Sequence, residues 1–385
     1  MAGLYLHVPF CRQACHYCDF HFSTQTKHMG DLVAAMIQEA RLRLASEPRW
    51  KDQAFTTLYL GGGTPSILPP DLLQDLVSGV LEAVGQAVTD FREVTLEANP
   101  EDITETQIQA WLELGVTRLS LGVQSFHDDT LAWMNRAHTG IQAEQAIRLA
   151  HELGVKAMTL DLIYGVPTSR NWNDDIARAM ALPIQHLSAY ALTVESGTVL
   201  GTRVERGEEQ PSPDARTAEE YHRLCNELAA QGWSHYETSN WAAPKPDQGH
   251  HKSQHNSAYW SGVPYLALGP GAHGFLGSTR YANVSNNPRY IQAIQQGALL
   301  DVRESLSPRD RYNELVMTGL RTARGISPEQ LHGATGVSPQ DVDAEAWTQA
   351  LDGGRLVEHQ PGWFRVPESN WITGDQVASS LFAVD

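Results

Sequence analysis

The first half of this chain alternates short apolar runs of β type with amphipathic helical stretches, and that alternation constrains the fold more than any other feature. Strand-like runs lie at Leu4–Val8, Thr57–Leu60, Val94–Ala98, Arg118–Gly122, Ala157–Ile163 and His186–Leu192. Helical patterns lie between them at Leu32–Ala45, Pro69–Val84, Glu105–Leu114, Ala143–Leu153 and Asp174–Ala181. Six strands with intervening helices predict an α/β fold, a parallel sheet with helices outside it. Such folds bind ligands beyond the C-terminal ends of their strands. The chemically suggestive residues fall there: Cys11 to Cys18 after the first run, Gly61 to Pro65 after the second, Glu97 closing the third, Gln124 after the fourth, and Asp161 to Gly165 ending the fifth.

Cys11, Cys15 and Cys18 are spaced C-x3-C-x2-C. Three thiolates on a [4Fe–4S] cluster leave one iron open, whereas ferredoxin-type clusters are closed by four. An open iron can bind a small molecule, and with Tyr17 just before the third cysteine the pattern is the radical-SAM signature, pointing to S-adenosylmethionine (SAM). A zinc site would need a fourth ligand, for which His7, His16 or His21 are available, but no second ligand pair follows downstream. An odd cysteine triplet without secretory context does not read as a disulfide framework. Cys225 lies in an amphipathic helical stretch and reads as core packing.

The remaining motifs are polar groups on strand ends. Gly61-Gly-Gly-Thr-Pro65 keeps side chains out of the way of a ligand that approaches the backbone. Glu97 and Asp161 are carboxylates at the ends of apolar strands, where burial is costly unless they bind something. Asp161 would be satisfied by Arg136 or by a ligand hydroxyl, and Gln124 and Arg136 belong near the same mouth.

The opening Met1-Ala-Gly-Leu-Tyr has no basic region followed by an apolar run, so no signal peptide is expected, and no stretch approaches the roughly 20 apolar residues of a membrane span. With thiolate ligands, this fits a reducing cytoplasm. The net charge of −17 argues against nucleic acid, which requires a basic face. The texture divides the chain at 1–212, the barrel with its cluster; 213–300, a barrel extension with an irregular Gly/His/Asn-rich segment; and 301–385, helices followed by a β-hairpin, resembling a winged helix.

Tyr-x-His-x-Pro-Phe-Cys, the cysteine triplet, GGGTP, Leu-Gly-Val-Gln-Ser-Phe and Asp-Leu-Ile-Tyr-Gly-x-Pro together resemble the oxygen-independent coproporphyrinogen III oxidase family over nearly the whole chain. The resemblance implies a partial (β/α)6 radical-SAM barrel with a C-terminal helical domain. It places Tyr5, Tyr17, Gly62, Gly63, Thr64, Glu97, Gln124, Arg136 and Asp161 at SAM-contacting positions, with the glycine loop meeting the amino group of the methionine part. Two departures matter. The oxidases carry a further cysteine two residues after the third, where this chain has Phe20, and they have a longer segment before the cluster. In addition, His255-Asn-Ser-Ala-Tyr-Trp260 resembles the H-N-x-x-Y-W signature of the family's haem-chaperone branch. That branch implies haem near His255 as axial donor, with Tyr259 and Trp260 covering the ring. Arg280 and Arg289 are candidate propionate partners, and His250, His251 and His273 further ligand candidates. A haemoprotein acceptor, such as one of the respiratory chain, and a homodimer belong to the same expectation. The rival readings are radical-SAM decarboxylation of coproporphyrinogen III and radical-SAM chemistry on an unrelated substrate.

Overall fold

The computed structural model describes residues 1–245 and 251–384. All six expected runs are strands. The chain runs β1 (Ala2–Val8), α1 (Met29–Ser46), β2 (Phe55–Gly62), α2 (Pro70–Val84), β3 (Glu93–Ala98), α3 (Glu105–Glu113) and β4 (Arg118–Gln124). It continues through α4 (Asp128–Trp133), α5 (Gly140–Glu152), β5 (Ala157–Tyr164), α6 (Trp172–Met180), β6 (His186–Ala191), α7 (Val199–Glu205) and α8 (Asp214–Ala230).

Strands β1 to β6 pair in sequence order, all parallel. One face of each is aliphatic: Leu4 and Leu6, Leu58 and Leu60, Leu119 and Leu121 are at most 1% exposed. That face packs on the helices. In α1, Leu32, Met36, Ala40 and Leu44 recur at fours, and in α2 Leu73, Leu76, Val77 and Val80 form one stripe. Burying each such leucine contributes about 1.5–3 kcal/mol. Proline at the start of α2 and Gly85 in the left-handed conformation after it set the helix ends. The opposite face of the strands is polar. It carries Tyr5, Thr57, Tyr59, Glu97, Ser120 and Asp161, several of which bond to one another or to elements lodged in the concavity.

The described part of the region expected to be irregular is structured. After β7 (Ser234–Glu237) and β8 (Asn240–Ala242) come α9 (Gln254–Trp260), β9 (Tyr265–Leu268), β10 (His273–Leu276), β11 (Thr279–Asn283), α10 (Asn287–Gln295) and β12 (Asp301–Ser305). β9 pairs parallel with β1, and the sheet is completed in the order β12-β11-β10-β9-β1-β2-β3-β4-β5-β6-β8-β7. Strands this short, broken at Gly269, Gly271 and Gly277 with positive φ, leave too few residues for a period-two pattern to register. A buried network fastens this extension to the barrel. Arg43 of α1 donates to Glu39, Asp301 and Asn283, and Glu39 accepts from Asn283, Tyr290 and the backbone of Gly269.

The C-terminal part holds α11 (Pro308–Leu320), α12 (Pro328–Thr335), α13 (Pro339–Asp352), the hairpin β13 (Val357–Gln360) and β14 (Trp363–Arg365), and α14 (Gly374–Ser379). Three helices followed by a hairpin match the winged-helix-like expectation.

Candidate functional site

The cysteine loop leaves β1 and is clamped from two sides. Its ends join through Cys11 N–H to Ser23 O and Ser23 N–H to Pro9 O. Its middle is held by the segment after α4. Gln13 donates to the carbonyl and side chain of Asn135, which in turn donates to Ala14 O, and His16 N–H donates to Met134 O. Asn135 has φ 59°, a strained value that asparagine tolerates better than most residues. The three cysteines are half-buried. Arg136 Nη1 lies 3.3 Å from Cys15 Sγ and Thr64 Oγ1 lies 3.5 Å from Cys11 Sγ, so two sulfurs already have donors. Burial pushes the Cys11 thiol up and the Cys18 thiol to about 11. A metal bound here would supply the positive charge that makes such groups thiolates.

The histidines weighed for zinc are engaged elsewhere. His16 Nδ1 meets Trp133 O, His7 lies between Tyr5 and His21 O, and His21 meets Asn287. Donor number, sulfur chemistry and clamp suit the three-cysteine cluster.

Each of Gly61, Gly62 and Gly63, at and just past the end of β2, is fixed by a neighbour. A Cβ on Gly61 would lie 2.9 Å from Glu97, and one on Gly62, whose φ is 113°, would lie 2.7 Å from the His7 ring. A Cβ on Gly63 would sit 2.7 Å from Phe10 O and 3.1 Å from Cys11 Sγ. Gly63 therefore shapes the cluster loop itself, not only the space beside it. Glu97 accepts from Tyr59 and from Gly62 N–H, and burial raises its carboxyl to about 7.

Around Gly122 the groups expected for SAM converge. Arg136 donates to Gly122 O and Asn99, and the side chains of Gln124 and Asn99 press on the same point. Asp161 is the strand partner of Gly122 and accepts from Ser120, not from Arg136; burial raises it to about 6. Arg136 Nε is buried without a partner. Tyr17 packs with Met134, Ile163 and Val166 beside the cysteines. Tyr5 stands deeper, beside Tyr59 and His255, with its hydroxyl on His7.

The H-N-x-x-Y-W residues form helix α9, docked inside the concave face. Glu93 of β3 accepts from the N–H groups of Gln254 and His255, Ser253 caps Asn256, and Arg118 holds Glu93. His255 is 1% exposed. Its Nδ1 is 2.7 Å from Thr57 Oγ1 and its Nε2 is 2.9 Å from the Tyr259 hydroxyl. Its ring stacks on Tyr59 at 4.8 Å, and burial lowers its pKa to about 3. The expected axial donor is thus an interior residue with both nitrogens engaged.

Tyr259 and Trp260 instead line a cavity of about 660 Å³ between the barrel and the C-terminal helices. Phe20 of the cysteine loop, Tyr190 at the end of β6, and Arg280, Arg311 and Arg321 share the wall. Trp260 Nε1 and Asn240 Oδ1 there are buried without hydrogen-bond partners. Arg289 is exposed on α10 and stands outside the cavity. His273 and His251 do not line it, and His250 lies outside the described residues.

Residues 5–179 match the radical SAM superfamily model, and residues 306–371 match the HemN C-terminal domain. The chain is 32% identical to the heme chaperone HemW of Bacillus subtilis, covering 92% of this chain and 89% of the relative. It is 36% identical to HemW of Mycobacterium tuberculosis, covering 92% and 90%. The chain belongs to the HemW family. Its fold is also that of coproporphyrinogen III oxidase HemN from Escherichia coli, with a TM-score of 0.82 over 99% of this chain and 90% of that one at 19% identity.

In this HemW-family chain, Phe20 is 68% exposed at the rim of the cavity. Thr57, Tyr59, Tyr190, Asn99, Arg311 and Arg321 escaped the sequence reading. Alternation along the strands, as in Thr57-Thr-Leu-Tyr59-Leu-Gly61 and Thr159-Leu-Asp161, could have found the inward-facing ones. Nothing local marks Arg311 of α11 or Arg321 just after it, which reach the cavity only through docking of the C-terminal helices. Among the described residues no helix is long and apolar enough to cross a membrane.

Proposed function

We propose that this chain is a haem chaperone: it takes haem into the cavity beside α9 and passes it to a haemoprotein acceptor. Its cysteines would carry a [4Fe–4S] cluster with SAM at the open iron, in the reducing cytoplasm that thiolate ligands require. The observation that carries the reading is the cavity itself. Its volume lies within the usual range for a small-molecule site. Tyr259 and Trp260 offer flat apolar surface, and three arginines offer partners for two propionates. Arg280 and Arg311 now pair with Glu314, and Arg321 with Asp375; these partly exposed pairs could exchange for propionates.

SAM would be held by Glu97 and the Gly61–Gly63 backbone at its amino group, with Gln124, Arg136 and Asp161 around the remainder. Bound to the cluster, SAM can supply a radical; for a chaperone these groups would govern docking or release instead of turnover. Phe20 stands where the oxidases have a cysteine, which disfavours decarboxylation.

The test is anaerobic reconstitution with iron and sulfide, then parallel assays of haem binding and coproporphyrinogen consumption. A Soret band on haem addition with no protoporphyrinogen formed is expected. Steady decarboxylation without haem binding would return the chain to the oxidases.

A further inference from the structure

One face of α11 is given over to the cavity. Arg311, Glu314, Leu315 and Thr318 line it at helical spacing, and Arg280 of β11 lines it as well. Glu314 joins the two elements with a different oxygen for each arginine. One carboxylate oxygen meets Arg280 Nη2, and the other lies 3.0 Å from Arg311 Nη1. Two guanidinium groups closing on one carboxylate is an arrangement suited to recognising a carboxylate ligand. Here the carboxylate comes from the chain itself.

The arginines do not owe their positions to Glu314 alone. Arg311 Cζ lies 4.6 Å from the centre of the Phe275 ring, another residue of the cavity lining. Arg280 has Glu304, its cross-strand neighbour on β12, 4.0 Å away and outside the lining. Glu314 stands on a helix surface with its side chain 23% exposed, where it turns about its own torsions without moving the helix. Two cations against one carboxylate leave the lining locally positive in a chain of net charge −17, which draws an anionic ligand to this place. Elsewhere in the lining, Trp260 Nε1 and Asn240 Oδ1 are polar groups that the protein's own residues leave unmet.

We propose that Arg280 and Arg311 form one carboxylate site, for a propionate of the ligand, and that Glu314 is its internal occupant, displaced on binding and restored on release. This rests on the haem-binding reading above and adds a control to it. Exchange swaps one arginine–carboxylate contact for another of the same chemistry, so the propionate adds little net affinity while Glu314 competes. Because Glu314 is tethered beside the site, it competes at a high effective concentration. A protein that passes its ligand on gains from such a competitor. As the propionate leaves, Glu314 closes on the arginines and opposes its return. A ring without carboxylates leaves Glu314 where it is.

The experiment titrates haemin, and separately haemin dimethyl ester, into the full-length protein and into Glu314→Gln, Glu314→Asp, Glu304→Gln and the double variant Glu314→Gln with Arg311→Met. Soret absorption reads binding, and stopped-flow transfer to excess apomyoglobin reads release. Circular dichroism and thermal melting report folding of each variant. Glu314→Gln keeps the shape and removes the competing charge, so haemin should bind about tenfold tighter and leave more slowly. Glu314→Asp keeps the charge but is too short to bridge both arginines, and should tighten haemin part-way; it decides the matter if Glu314→Gln does not fold. The ester should bind all three alike. Loss of Arg311 in the Glu314→Gln background should remove the gain. Glu304→Gln removes a charge outside the cavity and should behave as wild type. Haemin bound no tighter by the folded Glu314 variants would overturn the proposal and leave haem binding intact. So would equal tightening in Glu304→Gln, equal tightening of the ester, or a gain that survives in full without Arg311. If the wild type binds no haemin, both readings fall.

Discussion

Replacing Gly63 by alanine isolates the packing between the glycine loop and the cysteine loop. The residue's φ is not in the left-handed region, so the substitution adds no backbone strain and the whole effect is contact. The new Cβ would stand 2.7 Å from Phe10 O, 2.9 Å from Phe10 N and 3.1 Å from Cys11 Sγ, where ordinary contact begins at 3.4 Å. Two of these atoms are backbone and cannot rotate away. The loop must retreat by roughly 0.7 Å, and overpacking of this kind costs about 1–3 kcal/mol. It retreats at Cys11, moving one of three sulfurs away from the other two. We therefore expect less iron and sulfide bound per chain after anaerobic reconstitution, and weaker absorption in the visible. Gly61→Ala is the control: the nearest atoms to its Cβ would be side-chain atoms of Tyr59 and Glu97, not the cysteine loop, so the cluster should load normally while SAM affinity falls. Full iron content and wild-type stability in Gly63→Ala would refute the argument.

Alanine at Cys11, Cys15 or Cys18 should abolish cluster absorption, and Cys225→Ala should not; loss of the cluster in Cys225→Ala alone would remove the open-iron reading. Asp161→Ala should weaken SAM binding by about 1–3 kcal/mol, the usual effect of removing one charge-assisted bond, as read by calorimetry. Because burial raises Glu97 to about 7 while a cationic amino group needs it ionised, SAM affinity should rise as pH climbs through that value and flatten in Glu97→Gln. For stability the sign is opposite. The folded state holds the Glu97 proton in the window from the ordinary 4.5 up to about 7, so this group's contribution falls as pH rises across it. Arg43→Met should cost about 3–5 kcal/mol in denaturant unfolding, because it strands the buried Glu39 carboxylate.

Much of this molecule was decided locally. Strand and helix periods along 1–191 specify the parallel α/β sheet, since a polar side chain on the helix-facing side would have to be buried. The three cysteines specify a cluster ligand set, because spacing within one loop survives any tertiary arrangement. The same holds for the glycines after β2, although which neighbour each one accommodates is decided by the fold. The short strands of 265–305 were invisible, since their order in the sheet depends on β9 finding β1 and on Arg43 reaching Asp301 and Asn283. The role of α9 was also out of reach. From sequence, His255 and Tyr259 are equivalent donors on one helix face. Only its docking against Glu93 and Thr57 turns one inward to a filled core and leaves the other at a cavity. Arg311 and Arg321 opposite are further still, because they arrive with α11 and its C-terminal end. A sequence determines which groups are present and which are neighbours along an element. Which of two neighbouring residues reaches a cavity depends on what else is packed against them, and only tertiary contacts decide that.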